Sequence, residues 1–272
     1  MAELIRLTGA QETLLATLQA RAIDNRRPEP VLGDGMAEEL LRRLDYDFRR
    51  LRTGAKDERT VTFRAKKLDE WTQQFLIDHS ATGATVLHLA CGLDSRAFRL
   101  DVPAGFEWID VDHPDVIELR DRLYPQRAGY RTIATSVTRS EWLEQLPDDR
   151  PALVIAEGLT PYLHRADGEE MLRRLTGRLP SGRLIFDAVL PWTLRFAKYS
   201  QLLRATGAGF HWGIGDPRGL ERRVPGLRFV EQWSLFDSPY LAKASPVERL
   251  VGTVAGRVPA IRFAHRILDY RF

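Results

Sequence analysis

The 272-residue sequence predicts an α/β protein built on a parallel β-sheet with helices on both of its faces. Two observations predict this class. Short apolar runs bounded by turn residues alternate with amphipathic segments of helical period, and about 80 residues of helical spacing precede the first run. Apolar residues make up 44% and charged residues 28% of the chain. This composition is that of ordinary globular proteins and disfavours a disordered, fibrous or membrane-embedded class.

Three helices are predicted before the first strand. Thr8 is a suitable cap for a helix that extends to about Asn25 with its apolar residues on one face. Proline and glycine residues then interrupt the pattern, and helical spacing resumes over 36–51 and again over 68–76. We therefore expect a helical N-terminal lid that covers residues 1–80.

Five short apolar runs predict parallel strands, and three segments between them predict helices. The strands are expected at 85–90, 106–112, 130–134, 152–157 and 183–189, and the helices at 114–125, 139–146 and 167–179. In the last of these helices, Asp167 and Glu170 resemble a capping box in which Asp167 is the cap.

The final part of the chain departs from this alternation. Residues 227–236 and 266–272 predict a closing pair of strands, and the segment at about 191–225 is an insertion before them. The sheet domain is therefore expected to cover residues 81–272.

Charge and cysteine content restrict the functional classes. Lys and Arg number 40 against 37 Asp and Glu, and the two signs are interleaved, so no basic patch for nucleic acid is predicted. The single cysteine, Cys91, cannot form an internal disulfide, which favours a reducing cytoplasm. No signal peptide or membrane-length apolar run is present, and the six histidines lack metal-ligand spacing. We expect no membrane partner and no metal.

Candidate binding residues stand where the predicted strands end, since parallel sheets bind ligands outside those ends. The small residues Ala90, Cys91 and Gly92 would let a nucleotide-type cofactor approach the backbone. Asp112 ends the second strand 20 residues after Gly92, where a carboxylate can accept both ribose hydroxyls of an adenosine. Asp110 lies on the same face but farther from the strand end. The dinucleotide-binding pattern Gly-x-Gly-x-x-Gly has three glycines, and this turn has only Gly92. A tight strand-to-helix turn that binds no ligand therefore remains an alternative.

Glu157 ends the fourth strand, where an acid suits the rim of a site better than a core. The loop that follows would line the reaction centre, and its Tyr162 either packs or contacts substrate. Arg64 precedes the sheet and is a candidate only through the resemblance given next. Cys91 is expected to pack beside the cofactor, because no histidine is placed to make it a nucleophile.

Seven segments together resemble the leucine carboxyl methyltransferase family over nearly the whole chain. They are Leu7-Thr-Gly-Ala-Gln-Glu-Thr-Leu14, Pro30-Val-Leu-Gly-Asp34, Tyr46-Asp-Phe48, Arg64-Ala-Lys66, Ala90-Cys-Gly-Leu-Asp-Ser-Arg96, Val111-Asp-His-Pro114 and Glu157-Gly-Leu-Thr-Pro-Tyr-Leu163. The order of the last four is specific to the family. The resemblance implies a class I methyltransferase dependent on S-adenosyl-L-methionine, with a Rossmann-like seven-stranded sheet and a helical lid.

The resemblance also implies roles for individual residues. Arg64 would pair with the methionine carboxylate, Ala90 to Gly92 would approach methionine and ribose, Asp112 would hold the ribose hydroxyls, Ser136 and Val137 would contact adenine, and Glu157 would contact the methionine amine. Such Arg–carboxylate and carboxylate–ammonium pairs clamp a zwitterion. The sequence departs from the family's usual pattern in having alanine at 90 for glycine and serine at 136 for aspartate.

The nearest branch resembles the bacterial tetracenomycin-type polyketide carboxyl methyltransferases, which implies a small polyketide or aromatic acid as acceptor. Candidate substrate contacts are Tyr162, Trp192, Arg195, Tyr199, His211 and Trp212. The set is rich in aromatic residues and has one permanently charged cation, Arg195. These aromatic residues could instead only pack the lid. A carboxylate is ionised at about pH 7 and needs no general base, and no convincing base is found near Glu157.

Three alternatives remain open at this point. Methylation of a hydroxyl would call for a base, since hydroxyl groups are mostly neutral at about pH 7. A nicotinamide-dependent oxidoreductase shares the sheet and the Asp112 argument but requires three glycines that the turn lacks. A non-catalytic binding protein on the same fold is the third, because a fold alone does not establish activity.

Overall fold

The computed structural model describes residues 3–4, 7–51, 54–243 and 246–272. Its centre is a seven-stranded sheet with strands β1 Thr85–Leu89, β2 Glu107–Asp112, β3 Tyr130–Ala134, β4 Ala152–Ala156, β5 Gly182–Val189, β6 Arg228–Ser234 and β7 His265–Arg271. The order across the sheet is β3-β2-β1-β4-β5-β7-β6. Strand β7 runs antiparallel to β5 and β6, and all other neighbours are parallel. The predicted α/β class with seven strands is thus confirmed.

Eleven helices are found in the described part of the chain. They are α1 Thr13–Asn25, α2 Gly35–Arg43, α3 Ala55–Asp78, α4 Arg96–Arg99, α5 Pro114–Leu123, α6 Arg165–Arg178, α7 Leu194–Ala197, α8 Gln201–Thr206, α9 Pro217–Arg223, α10 Pro246–Gly256 and α11 Pro259–Arg262. Short 3₁₀ segments and one small parallel strand pair, Glu3–Leu4 with Leu44–Asp45, complete the structure. None of the helices described is long and apolar enough to cross a membrane.

The five predicted parallel strands lie within one residue of their expected bounds. Every residue of the central strands β1 and β4 is buried, which is why each reads as a continuous apolar run in the sequence. The closing strand pair is also present. Its strands β6 and β7 lie within two residues of the predicted bounds.

Several helix boundaries differ from the prediction. Helix α1 begins at Thr13 rather than after Thr8, because the preceding turn includes Gly9 at a φ of +61°. The second predicted helix ends at Arg43. Helix α6 is preceded by His164, so Asp167 lies inside its first turn and is not the cap. An acid there still interacts favourably with the positive end of the helix dipole.

The connection between β6 and β7 was not predicted. It carries 3₁₀ segments over 235–237 and 239–243 and the helices α10 and α11, instead of a simple turn. The predicted insertion at about 191–225 contains the short helices α7, α8 and α9.

The N-terminal helices pack in two different ways. Helix α3 covers one face of the sheet, where its Trp71 and Phe75 pack against Val86 and Trp108. Helices α1 and α2 share a second apolar cluster with α5. The chain before residue 80 therefore contains one helix that covers the sheet, α3, and two helices that pack beside α5. The boundary between the lid and the sheet domain at residue 80 stays a prediction.

Candidate active site

A cavity of about 820 Å³ opens over the carboxyl ends of β1, β2, β4 and β5. It is large enough for a cofactor and a second small molecule, since ligand pockets span about 300–1,000 Å³. Eight of the residues predicted for the site line it: Arg64, Ala90, Cys91, Gly92, Asp112, Glu157, Tyr162 and Trp192.

The turn after β1 reverses the chain through two residues with positive φ. Ala90 has a φ of +49° and Gly92 a φ of +52°. A side chain in this left-handed region costs roughly 1 kcal/mol, so glycine would adopt the conformation of position 90 without that strain. A Cβ on Gly92 would lie 3.2 Å from the Cβ of Leu14 on α1, so glycine allows α1 to approach the turn. Burial raises the pKa of Cys91 well above its usual value, which is unsuited to a nucleophile.

Asp112 faces the cavity with both carboxylate oxygens fixed by the backbone. Its Oδ2 accepts a hydrogen bond from the Gly92 N–H at 2.8 Å, and its Oδ1 accepts one from the His113 N–H at 2.7 Å. Burial raises its pKa, and the two N–H donors oppose that shift. Asp110 is completely buried in an ion pair with Arg120, so of the two acids Asp112 is the one that borders the cavity.

Arg64 and Glu157, 93 residues apart in sequence, meet beneath the cavity. The Arg64 Nε donates to Glu157 Oε1 at 3.0 Å, and its Nη1 donates to Asp187 Oδ2 at 2.8 Å. Burial would raise the pKa of each carboxyl group. The charge of Arg64 lowers the pKa of both Glu157 and Asp187. Arg96 further lowers the pKa of Glu157, and His265 further lowers that of Asp187. These interactions outweigh burial, so both pKa values lie below the usual range. The cluster is therefore ionised near neutral pH.

Arg96 fixes Glu157 from the other side. This fully buried side chain donates from Nη2 to Glu157 Oε2 at 2.6 Å and from Nε to Asp69 Oδ1 at 2.6 Å. Arg99 bonds the same Asp69 and also Asp94, so α3, α4 and the end of β4 are joined by one charged network. No role was predicted for Arg96, although the three charged residues within seven positions after the turn, Asp94, Arg96 and Arg99, were a visible signal.

His265 is the second residue that the sequence did not reveal. It begins β7 and lines the cavity, and its Nε2 lies 2.7 Å from Asp187 Oδ2. Asp187 also accepts a hydrogen bond from the Gly158 N–H at 2.5 Å. The available signal was Asp187 itself, a carboxylate among the otherwise apolar residues 184–189 of β5.

The two residues predicted to contact adenine, Ser136 and Val137, are not among the residues that line the cavity. Ser136 Oγ lies 2.9 Å from Thr138 Oγ1, and Val137 is buried in the core of the sheet. Any adenine contact at this point would fall to their backbone.

Of the substrate contacts predicted in the insertion, only Trp192 lines the cavity, and Phe210 of the same insertion lines it as well. Arg195 and Tyr199 are exposed to solvent, and the exposed His211 ring lies 4.5 Å from the His164 ring. Trp212 is buried against Gly168, where an added Cβ would lie 2.1 Å from its ring, so it packs in the core. The insertion also contributes Leu202, Leu203 and Phe210 to the apolar wall of the cavity. The unpredicted connection between β6 and β7 adds Leu235, Phe236, Leu241 and Ile261.

Comparisons with known proteins agree with this arrangement. The sequence pattern of the leucine carboxyl methyltransferase family matches residues 14–176. The chain is 70% identical over 272 residues to the tetracenomycin polyketide synthesis O-methyltransferase TcmP of Streptomyces glaucescens, with 100% of both chains covered. It is 40% identical over 248 residues to the S-adenosyl-L-methionine-dependent methyltransferase dpfgK of Gibberella zeae, covering 84% of this chain and 83% of the relative.

The comparison with solved structures finds the same fold at low sequence identity. The magnesium protoporphyrin IX methyltransferase ChlM of Synechocystis PCC 6803 superposes with a TM-score of 0.51 at 13% identity, over 96% of this chain and 99% of its own. This likeness concerns the fold alone.

Proposed function

The chain belongs to the leucine carboxyl methyltransferase family and is an S-adenosylmethionine-dependent methyltransferase, and from that premise we propose that it esterifies a small polyketide or aromatic acid. The observation that carries the proposal is the division of the cavity. The part of the wall over the ends of β2, β1 and β4, the polar half, carries charged residues, among them Asp112, Arg64 and Glu157. The part over β5 and β7, the apolar half, includes Trp192 and Phe236. The polar half suits a charged nucleotide cofactor and the apolar half an aromatic acceptor.

The residues of the polar half fit S-adenosylmethionine, whose sulfonium supplies an activated methyl group when bound. A carboxylate accepts about four hydrogen bonds, so the two backbone bonds to Asp112 leave capacity for the ribose hydroxyls. Arg64 and Glu157 offer the methionine carboxylate and ammonium one partner each of opposite charge. The backbone at 90–92 lies alongside, and the backbone of Ser136 and Val137 is our proposal for the adenine contact.

The chain's own contribution to the reaction is positioning. An acceptor carboxylate is already ionised at about pH 7, so no residue has to remove a proton from it. The Arg64–Glu157–Asp187 cluster holds its charges in fixed directions, and the apolar wall excludes water that would compete as acceptor.

A second candidate function, methylation of a hydroxyl, is favoured by one observation. The His265–Asp187 pair has the arrangement in which a carboxylate orients an imidazole base. A hydroxyl acceptor would require such a base because it is mostly neutral at about pH 7.

Two further parts of the proposal concern the whole chain. The helices within residues 1–80 close the cavity, supported by Leu14, Thr17 and Arg21 of α1 in its wall. The enzyme acts in the cytoplasm on a small molecule, supported by a single, buried cysteine.

The experiment that tests the proposal compares matched acceptors. Benzoic, 2-naphthoic, anthracene-2-carboxylic and anthraquinone-2-carboxylic acids are incubated with a methyl-labelled donor beside phenol, 2-naphthol and the corresponding hydroxyanthracene and hydroxyanthraquinone. We expect label in the larger acids and none in the hydroxyl compounds. Label in the hydroxyl compounds alone, or in neither series, overturns the proposal.

A further inference from the structure

We infer that His265 recognises the carboxylate of the acceptor through the ring nitrogen that does not contact Asp187. This inference rests on the proposed function and adds a specificity-determining residue to it. It concerns the apolar half of the cavity. The sequence analysis gave Arg195 as the candidate cation there, but in the structure the side chain of Arg195 is exposed to solvent.

The geometry leaves one side of the imidazole for a ligand. Nε2 of His265 is engaged by Asp187 Oδ2 at 2.7 Å. Asp187 is itself immobilised by Arg64 and by the Gly158 N–H, and only 1% of it is exposed. Within the described ranges no group forms a hydrogen bond with Nδ1, and the side chain is 23% exposed where it lines the cavity.

The surroundings of His265 call for a charged partner if an acid is to bind there. Val189, Phe236 and Ile261 line the same part of the cavity. A carboxylate moved from water into apolar surroundings is strongly destabilised unless a hydrogen-bonded countercharge is present.

The other basic residues in the wall are committed elsewhere or lie in the cofactor half. Arg64 binds Glu157 and Asp187 and is assigned to the methionine carboxylate, Arg21 Nη1 lies 3.5 Å from Asp94 Oδ1, and Arg59 also has a partner. Of the other two histidines in the wall, His88 is buried between Asp110 and Arg96, and His113 follows Asp112 at the end of β2. His265 is therefore the group best placed to supply the countercharge in the apolar half.

The chemistry of the ring then determines the form that binds. A neutral imidazole donates only one hydrogen bond, so a ring between Asp187 and an acceptor carboxylate must carry protons on both nitrogens. The charged groups packed around it are Asp187 from β5, Arg64 from α3 and Glu157 after β4. A methyl ester carries no charge and loses this interaction, which favours release of product over substrate.

The test uses His265→Gln, which removes the charge but keeps a polar side chain of similar length. The probe is the acid with the highest kcat/KM in the acceptor panel, together with its neutral carboxamide as a competitive inhibitor. We expect KM for the acid to rise about 10- to 100-fold, the range for hydrogen bonds to charged groups, with kcat within about threefold of wild type. The inhibition constant of the carboxamide should not change. His164→Ala removes an exposed histidine outside the cavity and should change neither value.

A comparison in the wild type gives a second reading that needs no variant. The neutral carboxamide should bind about tenfold or more weakly than the acid, because it carries no charge that the ring can pair with. Equal affinities of the acid and its carboxamide contradict the inference, also in the case that His265→Gln does not fold.

The remaining outcomes separate the inference from the function on which it rests. A loss of 100-fold or more in kcat at unchanged KM, with wild-type activity rising with pH, would identify His265 as a general base instead. Ester formation with unchanged kinetics in His265→Gln overturns the inference and leaves the proposed function standing. An ether product overturns both.

Discussion

Asp112 combines two backbone hydrogen bonds with a place on the cavity wall. Asp112→Asn replaces one acceptor oxygen by an amide NH2 group, which donates and cannot accept, and removes the charge. We expect the affinity for S-adenosylhomocysteine, measured by titration calorimetry, to fall about 10- to 100-fold, corresponding to about 1.5–3 kcal/mol. Asp115→Asn, at an exposed acid three residues later, should leave it unchanged. Equal affinities for Asp112→Asn and wild type would reject the ribose assignment.

Ala90 is the only described residue other than glycine with a positive φ. Ala90→Gly relieves about 1 kcal/mol of backbone strain in the folded state, and it also makes the unfolded chain more flexible, which favours unfolding by a similar amount. We expect the free energy of unfolding in urea to stay within about 0.5 kcal/mol of wild type. Ala134→Gly, at an exposed position in β3 with ordinary strand geometry, should lose about 0.5–1 kcal/mol. An equal loss in the free energy of unfolding in both variants would show that the backbone at Ala90 is not strained.

At the scale of elements, α3 joins the sheet to the cofactor half of the cavity. Its apolar face packs on the sheet while its Arg64 reaches Glu157 and Asp187. The position of this helix thus determines where the guanidinium group lies. Arg64 suits a carboxylate ligand because its planar guanidinium group presents several N–H donors in a fixed arrangement that a lysine ammonium group lacks.

Arg64→Lys keeps the charge and removes the fork, so the affinity for S-adenosylhomocysteine should fall about tenfold or more in titration calorimetry. Arg183→Lys is the matched control. Arg183 binds Asp269 through two hydrogen bonds of 2.9 and 2.8 Å and does not line the cavity, so its replacement should lower stability without changing affinity. A drop in affinity of the same size in both variants would show a general effect of folding.

The strands were predictable where the helical connections were not. A buried parallel strand is a short apolar run between turns, so β1 to β5 could be located within one residue. The segment between β6 and β7 consists of helices and 3₁₀ turns of three to eleven residues. Most of these are shorter than the window over which helical period can be recognised.

Across the whole molecule, the site depends on buried carboxylates held by guanidinium groups. Burial alone would raise the pKa values of Glu157, Asp187 and Asp94, but neighbouring arginines and, for Asp187, His265 lower them below their usual range. Between the folded and unfolded pKa values the unfolded state binds more protons. The stability from these groups is therefore present above about pH 4 and is lost as pH falls further.

We expect the free energy of unfolding in urea to decrease steeply from about pH 5 to about pH 3. A value that stays constant over this range would contradict the ionised state of the cluster.

The same clusters explain which site residues the sequence could reveal. Asp112 and Glu157 stand at strand ends, where the alternation of elements already predicts a ligand, and Arg64 was accessible through its motif. Asp187, Arg96 and His265 gain their roles from contacts between elements that are distant in sequence. Asp187 and His265, for example, are 78 positions apart. No local spacing records such contacts.

The central claim is that the methyl group is transferred to a carboxylate. The most direct measurement is mild alkaline hydrolysis of the product formed from a methyl-labelled donor and the best acid of the panel, with the released label identified by mass spectrometry. We predict that the label leaves as methanol, as from a methyl ester. A product that keeps its label in base is an ether, and that result would contradict the account in favour of hydroxyl methylation.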